Sequence, residues 1–117
     1  MILADTSVWV DHLRRGRADF AALLDQASVL THPLIVGEIA CGSLKNRATV
    51  LALLDALPRA VECSHDEARS LIERESLMSL GIGIVDVHLL ASARLTKVRL
   101  WTLDRRLQSA ARRLDLA

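Results

Sequence analysis

Apolar residues along the chain fall into two rhythms. Short unbroken runs, "ILA" at residues 2–4, "SVLTH" at 28–32, "AVEC" at 60–63 and "VRLWT" at 98–102, have the length and content of buried strands. Between them apolar residues recur every three or four positions, the spacing of one helix face. Ser7 is placed to cap a helix running to about residue 15, with Val8, Trp9, His12 and Leu13 at helical spacing and Gly16 ending it. "RADFAALLDQA" predicts a second helix that turns Phe20, Leu23 and Leu24 inward. Pro33 suits the first position of a third, "PLIVGEIACG", which stops near Gly42. "ATVLALLDAL" predicts a fourth, closed by Pro58. Ser64-x-x-Glu67 is a capping box for a fifth, running to about residue 80. After the turn "GIG", "IVDVHLLASARL" predicts a sixth, and Asp104 caps a seventh, "RRLQSAARRL". Strands alternating with helices predict an α/β fold: a single domain over residues 1–117, with a short parallel sheet of four to five strands flanked by helices.

Composition narrows this picture. The chain is 51% hydrophobic, yet one Phe, two Trp and no Tyr leave the core to aliphatic residues. That suits helices packed on a sheet better than a β-sandwich. Cys41 and Cys63 are too few for a disulfide framework and lack CxxC spacing, which points to a reducing cytoplasm. Cys41, on the third helix, reads as a small buried hydrophobe. No basic leader precedes Ile2, so no secretory signal is expected. No apolar run approaches the ~20 residues of a membrane span.

A net charge of +1 hides an uneven distribution. Residues 55–76 are acidic, whereas residues 94–117 carry Arg94, Lys97, Arg99, Arg105, Arg106, Arg112 and Arg113 against Asp104 and Asp115. A basic quarter of this kind can meet phosphate, and Arg105, Arg106, Arg112 and Arg113 are candidate RNA contacts, with Arg14, Arg15 and Arg17 a second group. A solvated helix face accounts equally well for either group. Trp9, Phe20 and Trp101 are too few to form a base-stacking platform, and the two Trp are expected in the core or an interface.

The acids carry the chemistry. Asp5 and Asp104 each follow a strand directly, so both should emerge at the carboxyl edge of the sheet, where open α/β folds bind ligands. Glu38 lies between Ile35 and Ile39 inside an apolar helix, and Asp86 follows "GIGIV". Each alone reads as a helix cap or a solvated side chain. Together they could form an oxygen-rich negative pocket, which suits a hard divalent cation such as Mg²⁺ or Mn²⁺.

Four stretches bear a resemblance to a known family. "LADTSVWV", "GEIACG", "IVDVHLLASA" and "LWTLDRRL" resemble, in order and over essentially the whole chain, the motifs of the PIN-domain ribonucleases, and among them the small VapC-type toxins of toxin–antitoxin pairs. The resemblance implies a PIN-like α/β domain that hydrolyses RNA phosphodiester bonds and leaves a 5′-phosphate. It implies Asp5, Glu38, Asp86 and Asp104 as metal-binding and catalytic acids, with Mg²⁺ or Mn²⁺ as cofactor and Ser7 and Thr6 in support. It further implies a cognate VapB-like antitoxin, a homodimer and a cytoplasmic location without membrane contact. Two stretches depart from the pattern. "RRLQ" follows Asp104 where many members have a further acid and an aromatic, and Val87 and His88 replace more usual aliphatics.

Other chemistries fit less well. A receiver domain needs an acidic pair after strand one, and a haloacid-dehalogenase-type phosphatase needs Asp-x-Asp there, where Ser7 stands. His12 and His32 read as surface or cap residues and His65 as exposed. The alternative from another class is a catalytically silent PIN-like module that binds RNA or protein.

Overall fold

The computed structural model describes residues 1–117. Chain order is β1 (Ile2–Ala4), α1 (Thr6–Arg15), α2 (Ala18–Asp25), β2 (Val29–Leu30), α3 (Pro33–Ala40), α4 (Arg47–Ala56), α5 (His65–Glu75), α6 (Ile84–Thr96), β3 (Arg99–Trp101) and α7 (Arg105–Arg113). The strands form one parallel sheet in the order β2-β1-β3. Ile2 pairs with Val29 on one side and with Arg99 on the other, so all three strands end at the same edge. β1 is central, and Leu3 and Ala4 are fully buried. Asp5 and Thr102 leave the sheet side by side, and the Asp5 N–H donates to the Trp101 carbonyl at 3.0 Å.

α6 is the most enclosed helix, burying the unbroken run Val87 and Leu89–Ala93 with only His88 half-exposed within it. The aliphatic core of 25 residues surrounds one aromatic knot. Phe20 is fully buried, edge-on to Trp9 at 4.7 Å and to Trp101 at 5.7 Å between ring centroids. Both Trp therefore pack inward, Trp101 with Arg17 across its ring at 5.2 Å. Leu13, expected inward, is instead exposed at the end of α1.

The sheet has three strands, not the four to five expected. The expected strand at residues 60–63 does not form. Thr31 and Arg59 make an isolated parallel bridge: Thr31 N–H donates to Pro58 O, and Ala60 N–H donates to Thr31 O. One residue later His32 turns the chain into α3, which removes the partner backbone that a strand would need. The Val61 N–H turns instead to the Thr96 hydroxyl. α5 also stops at Glu75, short of residue 80, because Ser76 adopts the left-handed conformation (φ 53°) that ends helices, and buried Leu77 then turns into the core.

Phe20→Ala should destabilise the fold by about 3–5 kcal/mol, the usual cost of deleting a buried aromatic. Urea unfolding followed by circular dichroism measures it. A loss under ~1 kcal/mol would show that the aromatic knot does not organise the core.

Candidate active site

Asp5 is 6% exposed, and both of its carboxyl oxygens accept hydrogen bonds. It sits at the N-cap of α1 in extended conformation, and its Oδ1 accepts from the Ser7 N–H at 3.0 Å and the Val8 N–H at 3.4 Å. The helix cap is thus Asp5 and not Ser7, as the sequence suggested. Being one residue nearer the strand, Asp5 reaches the N–H groups two and three residues on. The Ser7 hydroxyl is used elsewhere: it donates to Asp5 Oδ1 at 2.5 Å and accepts from the Leu103 N–H at 2.9 Å.

Thr102 joins the two strand ends and was not singled out from the sequence as a site residue. Its buried hydroxyl donates to Asp5 Oδ2 at 2.6 Å and accepts from the Asp104 N–H at 3.0 Å. The signal was present in the Thr-x-Asp spacing at the end of β3. A hydroxyl two residues before a cap bonds the cap's own N–H, as Asx and Ser/Thr turns do.

Asp104 caps α7, with Oδ1 accepting from the Arg106 and Leu107 N–H groups at 2.9 and 3.0 Å. Asp86 lies in the first turn of α6, half-buried, and its Oδ2 accepts from the Gly83 N–H at 3.2 Å. Glu38 is exposed on α3, not enclosed by the aliphatics flanking it in sequence, because Ile35 and Ile39 turn inward on the other face. Its Oε1 accepts from the Thr6 hydroxyl at 2.6 Å, so α1 and α3 are tied across the site.

The four acids share one electrostatic environment. The Asp86 carboxyl is pushed above the usual aspartate range, first by burial and then by the negative charges of Asp104, Asp5 and Glu38, against the opposing pull of the Gly83 hydrogen bond. None of the four is ion-paired; the salt bridges of the molecule are Arg15–Asp11, Arg17–Asp11, Arg17–Asp19 and Arg94–Glu75. Glu38, Asp86 and Asp104 each use one carboxyl oxygen in an internal hydrogen bond and leave the other without a donor. No three His, Cys, Asp or Glu side chains are grouped closely enough to hold a metal ion as they stand. The donor set nevertheless fits a hard divalent cation by chemistry, being all oxygen, negative and without an internal countercharge.

The remaining candidates divide clearly. Arg15 and Arg17 are committed to Asp11 and Asp19, which leaves Arg14 as the free cation of that group. Arg105, Arg106, Arg112 and Arg113 are exposed on α7 with no carboxylate partner. Cys41 is exposed rather than buried, because the third helix ends at Ala40 and leaves it at the C-cap. His32 caps α3 through Nδ1, accepting from the Leu34 N–H at 3.0 Å, and is itself buried at the end of β2; that burial lowers its pKa. His65 is exposed as expected and stacks on His88, whose Nδ1 lies 3.4 Å from Cys63 Sγ. No helix is long and apolar enough to cross a membrane.

The sequence is similar to those of known proteins. Ribonuclease VapC32 of Mycobacterium tuberculosis, in strains CDC 1551 / Oshkosh and ATCC 25618 / H37Rv, is 45% identical over 111 residues, which span 94% of this chain and 90% of that protein. The PIN domain family matches residues 2–113, from the first residue of β1 to the last of α7. On a match of that extent, the chain belongs to the PIN-domain family.

Proposed function

We propose that this protein is a divalent-metal-dependent endoribonuclease, acting as the toxin of a toxin–antitoxin pair. One observation carries the reading: at the carboxyl edge of a PIN-domain sheet stand four carboxylates without a cationic partner, three of which help to raise the pKa of the fourth, Asp86, in a chain similar to a protein named as a ribonuclease. Asp5 and Asp86 are assigned as direct oxygen ligands, with Glu38 and Asp104 completing the set or orienting water. A bound Mg²⁺ or Mn²⁺ would neutralise charge on the scissile phosphate and lower the pKa of a water. Ser7, Thr6 and Thr102 hold the carboxylates by hydroxyl hydrogen bonds, which limits the reorganisation that binding requires. The unshared oxygens of Glu38, Asp86 and Asp104 are those that would turn inward. Hydrolysis leaves a 5′-phosphate.

The reading includes a VapB-like antitoxin and a second copy of the chain as partners, and a cytoplasmic location. Exposed Leu13 and Leu53 flank a cleft of about 410 Å³ lined also by Trp9, Leu24, Val50 and Leu57, an apolar face that supports protein binding.

Asp5 also caps α1 and bridges to Thr102, so its truncation would unsettle the fold as well as the site. The clean tests are Glu38→Gln and Asp86→Asn. Each should lower Mn²⁺-dependent cleavage of single-stranded RNA at least ~100-fold, the upper range for losing even a group that only orients a ligand. Circular dichroism should stay unchanged. Full cleavage by both variants would sink the assignment, and titration calorimetry with Mn²⁺ separates a silent module, which would show no heat that depends on these acids.

Asp86 also makes stability depend on pH. Its folded pKa is raised, so the folded state keeps a proton that the unfolded state releases, and stability falls as pH rises from the usual aspartate value through the raised one. In chelator, Asp86→Asn should therefore have a higher urea midpoint than the parent at neutral pH. The advantage should vanish below the usual aspartate pKa. Added Mn²⁺ should then favour the parent, because binding stabilises only the chain that holds the ion. An advantage that persists unchanged into acid would show that burial does not tax this carboxyl.

A further inference from the structure

Beside the acidic edge lies a second polar feature of opposite sign. Arg105, Arg106, Ser109 and Arg113 share one face of α7 and, with Leu80 and Ala110, line a surface cleft of about 240 Å³. No carboxylate pairs with any of its three guanidinium groups. Arg112, on the same helix, does not line the cleft.

Two of the three arginines lie against the end of α5 and the segment linking it to α6, and one of them is hydrogen-bonded there. Arg113 Nη2 donates to the carbonyls of Glu75 and Ser76, the latter at 3.1 Å. Arg106 lies across Gly81: a methyl group there would stand 2.7 Å from Arg106 Cδ and 2.8 Å from Nη1. Gly81 also has φ +76°, a conformation that side chains resist. A mobile cation on a solvated face needs no such support. Three guanidinium groups without a carboxylate partner around one cleft repel one another, and an oxyanion relieves that repulsion while matching the fork geometry of arginine.

The cleft is also joined to the acidic edge at both ends. Arg105 follows Asp104 directly, and two residues after Gly81 comes Gly83, whose N–H is held by the Asp86 carboxyl. We infer that this cleft is a phosphate subsite, holding a backbone phosphodiester of the RNA substrate next to the one that is cut. The inference rests on the proposed nuclease reading for its choice of RNA. It commits Arg105, Arg106 and Arg113 to the substrate, leaves Arg112 out, and makes Gly81 a positioning residue.

The test measures RNA binding apart from cleavage. A fluorescein-labelled single-stranded RNA is titrated with the full chain in EDTA, by anisotropy, over a range of salt concentrations. Arg106→Ala should weaken binding about tenfold, as expected for losing a charge-assisted hydrogen bond. It should also lower the slope of log K against log salt by about 0.7, one phosphate contact on a single strand. Arg105→Ala should behave alike. Arg99→Ala, at the opposite edge of the sheet, removes the same charge and should change affinity less than about twofold. Gly81→Ala should weaken binding in the parent and have a smaller effect in Arg106→Ala, because part of its effect is displacement of that side chain and the rest is backbone strain at φ +76°. The subsite is overturned if Arg106→Ala and Arg99→Ala weaken binding alike, or if the parent binds no RNA. Cleavage in Mn²⁺ is scored separately. A parent that binds through the cleft yet cuts nothing would keep the subsite and refute the nuclease reading.

Discussion

Asp5 is a carboxylate buried at the end of a central strand, a placement that costs free energy unless its oxygens find donors. The chain supplies four: the Ser7 N–H and hydroxyl, the Val8 N–H and the Thr102 hydroxyl. Those donors come from both ends of the sequence, so satisfying this one group fixes much else. The start of α1 is set by Ser7 and Val8. The end of β3 is set by Thr102, and through it the Asp104 N–H and the start of α7. The parallel pairing of β1 with β3 is what brings these partners within reach, and the hydrogen bonds in turn define where each strand stops.

The charge pattern follows from the same geometry. A parallel sheet directs every strand toward one edge, so acids placed after strands collect there without any contact between them in sequence. Asp86 registers the result, held above its usual range by burial and by three like charges. No cation of the chain pairs with them. Arg15 and Arg17 are tied to Asp11 and Asp19, and Arg105, Arg106 and Arg113 line a cleft of their own. Keeping the two signs apart leaves the acidic edge able to take a cation and the basic cleft able to take an anion. Under the proposed reading, a single phosphodiester substrate with a bound metal ion would present both.

How much of this could be read from sequence depended on the range of the interaction. All seven helices were legible, because periodicity, Pro33 and the Ser64–Glu67 box are local signals. The strand at residues 60–63 was misread for the opposite reason. Its residues suit a strand, but strand pairing needs a neighbour, and β2 ends after two residues. The length of α5 was overread because the stop is a left-handed Ser76, a residue without strong C-cap character. Exposure failed in both directions: Cys41 depends on where its helix ends, and His32 on what packs over β2. Thr102 was the instructive omission. Its spacing from Asp104 was visible, yet its role depends on Asp5, far away in sequence.

Helix cap and metal ligand had looked like rival explanations for these acids, and the caps leave room for both under the proposed reading. Asp104 caps α7 with Oδ1, and Asp86 holds the Gly83 N–H with Oδ2. In each case a single oxygen is fixed by the backbone and the other is left without a donor. A cap restricts rotation of the carboxyl group, so the free oxygen is aimed before any ligand arrives, and the entropy of ordering it is lost on folding rather than on binding. Asp5 goes further and engages both oxygens, which makes it the most rigid of the four and the natural fixed point of the site. Glu38, on a longer side chain and held by one hydroxyl, is the least constrained. The four acids therefore grade from rigid to adjustable across the sheet edge, and under the proposed reading adaptation to an ion would fall mainly on Glu38.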